Sequence, residues 1–252
     1  MDMTEPYQFS QSRIDDHIEK VGVDIRPVIE FKLDRTRLYT VWEQLVEAHP
    51  ELFESLVQAP TDFRIMKRFI FPGKGEMELP TLAFTQRGPV FTFPRRLAAL
   101  KEDTSLGRVD DIIMDCLKTF RGVFPEKKII RVGLINEYIF DTAELDSARL
   151  VCERFTRLPV PVGGEIRLRI NRRDDDHNRI IELEALQKVE RVPEIPDRLQ
   201  SVGYGVKVMV DFNNADMSQP LDDGRILRVL HEGRRYNDVD LYRFLNGDFG
   251  GE

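Results

Sequence analysis

The secondary-structure signals of this chain run through the same series twice, and that repetition limits the fold more than any single motif. Residues 26–124 read as strand, long helix, two or three strands, helix. Residues 128–245 begin the series again at the strand 129–134. Two such units, each a sheet covered by long helices, can share one core. The 252 residues suffice for one large domain or two of roughly 100–120 residues each. The reading adopted is an N-terminal arm over 1–24, a first α+β unit over 25–125 and a second over 126–252, packed as one body.

Within the arm, Ser12 is a candidate cap for a short helix with Ile14, Ile18 and Val21 on one side. The first strand is placed at 28–33. Leu38, Val41, Trp42, Leu45 and Val46 then recur at helical spacing, and Leu52, Phe53, Leu56 and Val57 continue the pattern beyond Pro50. Pro50 is therefore read as the first residue of a second helix. Strands are predicted over 63–71 and 79–93, with a turn near Arg87-Gly88-Pro89. A helix through Val109, Ile113, Cys116 and Phe120 closes the first half at Gly122 and Pro125.

In the second half a strand at 129–140 leads to a helix from about Ala143, a hairpin over 165–189 and a strand at 204–212. Helices follow at 221–232, with Gly233 as the exit, and at 238–246. The sequences of the two halves do not visibly align, so the repeat is one of architecture.

The hairpin is the most specific local prediction. With the turn at Asp175-Asp176, Asn171 pairs with Ile180, Arg169 with Glu182 and Arg167 with Glu184. Ile170 then faces Ile181, and Leu168 faces Leu183. That register puts the apolar residues on one face and opposite charges on the other, and a slip of one residue would destroy both matches. Arg167, Arg169, Asn171 and Arg173 could in principle hold a phosphate backbone, but the charge ladder is the preferred reading. The net charge of −7 also weighs against a broad nucleic-acid or anionic-membrane surface. The tip residues Asp174, Asp175, Asp176 and His177 are read as turn formers rather than metal ligands.

Phe69, Phe71, Phe91 and Phe93 recur at period two on strands taken as neighbours. With Trp42 opposite, they could line a pocket for a small apolar ligand, or simply form the core. Enzyme motifs are lacking: Gly73-Lys74-Gly75 lacks the frame of a phosphate loop, Asp248-Phe249-Gly250 lacks its kinase partners, and the four histidines have no metal spacing. His231-Glu232 reads as a surface pair at a helix end. No catalytic residue, metal or cofactor is assigned. No apolar run is long enough to cross a membrane, and the N-terminal residues lack a leader pattern. Cys116 and Cys152 read as buried thiols of a reducing, cytoplasmic setting.

The segment Arg131-Val132-Gly133-Leu134-Ile135-Asn136-Glu137-Tyr138 resembles the central strand of a sporadically distributed family of uncharacterised bacterial proteins. There a strand beginning Arg-Ile-Gly-Leu-Arg-Tyr is followed closely by Asn; here Ile135-Asn136 replaces Arg-Tyr. The C-terminal stretch is also similar, with Asp211 in a strand, Leu230-His231 ending a helix, and a Phe-bearing helix after it. The resemblance covers most of the chain. It implies a bacterial cytosolic origin and assigns no reaction. The fold expected is α+β, with two pseudo-repeated units of antiparallel curved sheet grasping long helices, similar to helix-grip and TATA-box-binding-protein-like architectures. The expected role is a non-enzymatic interaction module that self-associates, with a small-ligand-binding protein as the alternative.

Overall fold

A computed structural model describes residues 6–26, 34–58, 62–71, 75–85, 87–94, 106–157, 165–192 and 195–249. The predicted strand at 28–33 lies outside these residues. The protein is α+β, built on one nine-stranded antiparallel sheet. Its strands are β1 (Ile14–Arg26), β2 (Ser55–Gln58), β3 (Phe63–Phe71), β4 (Gly75–Phe84), β5 (Pro89–Pro94), β6 (Lys128–Ala143), β7 (Arg167–Arg173), β8 (His177–Val192) and β9 (Ile195–Asn214). They lie in the order β2-β3-β4-β5-β1-β6-β9-β8-β7. The helices are α1 (Arg35–Ala48), α2 (Leu106–Val123), α3 (Ser147–Phe155), α4 (Asp223–Arg235) and α5 (Leu241–Leu245), with a π-helical turn over Tyr236–Asp240 between the last two.

The strands of β6 and β9 explain which face holds the core. Val132, Leu134, Tyr138 and Phe140 alternate along β6 and lie beside Phe212, Val208 and Val206 of β9, all buried. On β1 the same face carries Val21, Val23 and Ile25, and on β5 it carries Phe91. These residues form one cluster with Leu38, Val41 and Leu45 of α1, Ile113 and Phe120 of α2, Leu150 and Val151 of α3, Ile226 and Leu230 of α4, and Leu241 and Leu245 of α5. The five helices among the described residues therefore pack on one side of the sheet. None of the described helices is long and apolar enough to cross a membrane.

The predicted N-terminal arm is instead a central strand with an anchored lead-in. β1 pairs antiparallel with β6 from Ile14 to Arg26. Ahead of it, the Phe9 N–H donates to Asn246 Oδ1 at 2.8 Å, and Asn246 Nδ2 returns a bond to the Phe9 carbonyl at 3.1 Å. Arg154 also donates to the Tyr7 carbonyl. The strand was hidden because its buried face carries Glu19, so the apolar alternation is interrupted and Ile14, Ile18 and Val21 mimic a helix.

The helix predicted from Pro50 is a tight turn followed by β2. The His49 carbonyl accepts from the N–H groups of both Leu52 and Phe53. Those two side chains are buried through the turn rather than along a helix face, and so short an apolar run fits either state. Gly233, expected as a helix exit, lies inside α4 at its closest approach to the sheet. A Cβ there would sit 3.0 Å from Phe212 and 3.1 Å from Leu134.

The Gly233→Ala variant should therefore lose stability by about 1–3 kcal/mol through overpacking, although alanine is the better helix former. Urea denaturation checks this, and a stabilised variant would contradict the contact.

Candidate functional site

Of the aromatic residues predicted to line a pocket, Phe91 is buried in the core and Trp42 is partly buried against it. The side chains of Phe69, Phe71 and Phe93 lie outside the described residues. Their backbones show that β3 and β5 are not neighbours, because β4 runs between them. Phe91 stands opposite Leu82, which in turn faces Ile65, whereas Phe69 pairs with Met77 and Phe71 with Gly75. The two pairs of phenylalanines thus lie at different levels along the sheet. The Trp42 indole Nε1 is buried and has no acceptor.

The hairpin of β7 and β8 has the predicted register throughout: Arg167 lies opposite Glu184, Leu168 opposite Leu183, Arg169 opposite Glu182, Ile170 opposite Ile181 and Asn171 opposite Ile180. The ion pairs are partly diagonal, since Arg167 and Arg169 both reach Glu182, at 2.7 and 3.2 Å. At the tip, Asp174 Oδ1 accepts from the backbone N–H groups of Asp176 and His177, so this carboxylate is engaged in shaping the turn. Among the described residues, no group of three His, Cys, Asp or Glu side chains could hold a metal ion.

Arg167, Arg169 and Arg173 of that hairpin belong to the second face of the sheet, which none of the described helices covers. Ile18, Ile135, Ile139, Ile180 and Met209 on this face are half-buried. Between them run ion pairs that join the strands, to a neighbour or across one. Glu137 takes Lys20 at 2.5 Å and Lys207 at 3.7 Å. Arg131 takes Asp211 at 2.7 Å and Asp24 at 3.6 Å, and Lys188 takes Asp141 at 3.1 Å. Burial by itself would raise the Glu137 pKa, but Lys20 and then Lys207 outweigh it and hold the carboxyl below its ordinary value. Lys20, Lys207, Arg131 and Lys188 are thus met by carboxylates of the same face, which leaves the apolar side chains beside them set among compensated charges.

On the helix side sequence reasoning missed a buried ionic cluster. Arg234 of α4 donates to Glu19 of β1 at 2.9 Å through Nη2 and to Asp110 of α2 through Nη1. All three residues are buried. Burial alone would lower the Arg234 pKa, but Glu19 and Asp110 outweigh it and raise the guanidinium above its ordinary value. His231, one turn earlier on α4, places Nε2 at 3.3 Å from Asp110. Its neighbour Glu232 meets His177 at 3.1 Å. The expected His231-Glu232 surface pair is therefore two separate links to different elements. Next in the chain, Asn237 of the π-turn is buried with neither amide atom partnered. The only sequence signal for this cluster was a carboxylate at an inward strand position.

Two hollows open among the described residues. One, of about 910 Å³, runs past Tyr7, Arg13, Glu144, Leu145 and Arg154. The other, of about 290 Å³, lies between Asp176, His177, Asp216, Arg225 and Glu232. Neither gathers a nucleophile with an adjacent base. The chain matches no known protein-family model and no curated protein.

Removing Arg234 takes away the cation that two buried carboxylates share, a change that typically costs about 3–5 kcal/mol. Arg234→Ala should show that loss in urea denaturation at neutral pH. A variant as stable as the parent would contradict it. Glu137 ties the stability of the fold to pH. With its folded pKa held below the ordinary carboxylate value by Lys20 and Lys207, its contribution is present above the unfolded value and is lost as pH falls through the folded one. Glu137→Gln should therefore flatten the acid limb of the stability curve.

Proposed function

We propose that this protein is a non-catalytic interaction module that receives a protein partner on the helix-free face of its sheet. The observation that carries this reading is the composition of that face. Ile135, Ile139, Ile180 and Met209 lie half-buried between Glu137 and Arg131, whose charges are compensated within the sheet. A protein interface takes an apolar centre with satisfied polar neighbours. A phosphate-binding surface needs positive charge that is free to displace counterions, and here the nearby carboxylates oppose it.

The same reading extends to architecture. β1 and β6 each precede a helix, pair with the last strand of the meander that follows (β5 and β9), and pair with one another. This supports two pseudo-repeated units and a likeness to the TATA-box-binding-protein-like grip. Two free, buried cysteines support a cytoplasmic setting, and the resemblance of 131–138 supports a bacterial one. A second reading, a small and largely apolar ligand beside Trp42 that brings one hydrogen-bond acceptor, is favoured by the buried indole N–H without an acceptor. Native mass spectrometry of the purified protein would show a stoichiometric adduct under that reading and the bare chain otherwise.

A photo-crosslinking residue placed at Met209 should form covalent adducts with another protein chain in cells. The same residue at Glu47, exposed on α1, should not. Equal labelling at the two positions, or none at Met209, would overturn the interaction reading. On immobilised duplex DNA at low ionic strength, the protein should show no salt-dependent retention.

A further inference from the structure

The longest hairpin of the sheet extends past its neighbours. β7 pairs with β8 only as far as Glu184, and β6 pairs with β9 only from Tyr204 onward. β8 and β9 nevertheless remain paired to Val192 and Ile195. Among the described residues the result is a two-stranded ribbon projecting about 17 Å at the usual rise of a strand. Two-stranded ribbons are marginal in water, and this one carries exposed apolar residues: Val189 (48%), Leu199 (60%) and Val202 (51%). Val189 faces Ser201 and Arg191 faces Leu199, so Val189 and Leu199 are diagonal neighbours on one side.

The outer edge of β8 is occupied at the base of the ribbon. The Ala185 N–H donates to the Ile166 carbonyl, and Ser147 Oγ donates to the Leu186 carbonyl at 3.0 Å. Among the described residues, no strand pairs with that edge from Gln187 onward. The sequence of this stretch, Gln187-Lys188-Val189-Glu190-Arg191, complements itself when reversed. An antiparallel pairing with its own copy about a two-fold axis at Val189 sets Lys188 opposite Glu190 of the copy, and Glu190 opposite Lys188. It also sets Gln187 opposite Arg191 and Val189 opposite Val189. An edge guarded by charges of one sign repels a second copy; this order of signs attracts one. The pairing also brings the Val189 and Leu199 of both copies to one side of a four-stranded ribbon.

We propose that the β8–β9 ribbon is a self-association arm, whose partner is the same ribbon of a second copy paired antiparallel about Val189. This deepens the interaction reading by naming one partner and its edge. It uses a surface separate from the face around Met209. Lys188 also meets Asp141 of its own chain at 3.1 Å, which holds its ammonium group near the base of the ribbon. The interface is short, so the dimer should be weak, with association at micromolar concentrations.

Sedimentation of the whole chain between about 1 and 100 μM should show a reversible monomer–dimer equilibrium. Glu190→Lys sets lysine against lysine across the axis, and Lys188→Glu sets glutamate against glutamate. Each variant alone should lose association at least tenfold while keeping the circular dichroism of the parent. An equimolar mixture of the two restores both opposite-charge pairs and should yield a one-to-one heterodimer near the parental affinity. A parent that stays monomeric throughout, or single variants that associate as well as the parent, would overturn the arm. So would a mixture that remains monomeric when both variants are folded. Adducts at Met209 together with a monomeric parent would leave the interaction reading standing and remove the arm alone.

Discussion

The antiparallel pairing of β1 with β6 is the contact on which the rest of this structure depends. It joins the two halves of the sheet, and its inward residues lie under the helices. Val21 faces Leu134 and Glu19 faces Asn136, all buried. Because Glu19 is held by Arg234 of α4, which also holds Asp110 of α2, the ionic cluster links the central strand to two helices. A buried ionic group is a poor source of net stability, yet it becomes costly when one member is removed. The arrangement of helices over the centre of the sheet is thus tied to one guanidinium as well as to the apolar cluster around it.

The two sides of the sheet differ in how their polar groups are satisfied. On the helix side, Asp110 Oδ1, the Tyr236 hydroxyl and the Asn237 amide are buried without partners, and the last two belong to the π-turn. π-turns are rare and favour functional positions, so these residues mark the least settled polar packing of the helix layer. On the open side, the charges around Arg131, Glu137 and Lys207 meet one another. Ion pairs that keep partial access to solvent contribute modestly to stability each. Their larger consequence is compensation, which makes the adjoining apolar residues easier to cover by a partner that brings few charges.

Local regularity decided what could be read from sequence. The β7–β8 hairpin was legible to the residue because two independent patterns, apolar and charged, selected one register. The strands β3, β5 and β6 and the helix α2 were legible from simple periodicity. The central strand was not, since a carboxylate occupies an inward position whose cation lies more than two hundred residues away. Nor was the turn at Pro50, where a short apolar run fits helix and strand equally. Gly233 looked like punctuation because its crowding against Phe212 and Leu134 is a tertiary fact. Of the aromatic constellation, the sequence pattern placed Phe91 correctly at an inward position. It could not show that β4 separates β5 from the strand carrying Phe69 and Phe71.

The central claim is that the helix-free face is the working surface, and oxidative footprinting tests it with two native probes. Met209 lies half-buried on that face, and Met217 is exposed off the sheet, beyond the end of β9. Hydroxyl-radical labelling of the purified protein at high dilution should oxidise both methionines. Labelling in intact cells should spare Met209 while Met217 reacts as before. Equal oxidation of Met209 in the two settings would show that nothing covers this face and would contradict the account.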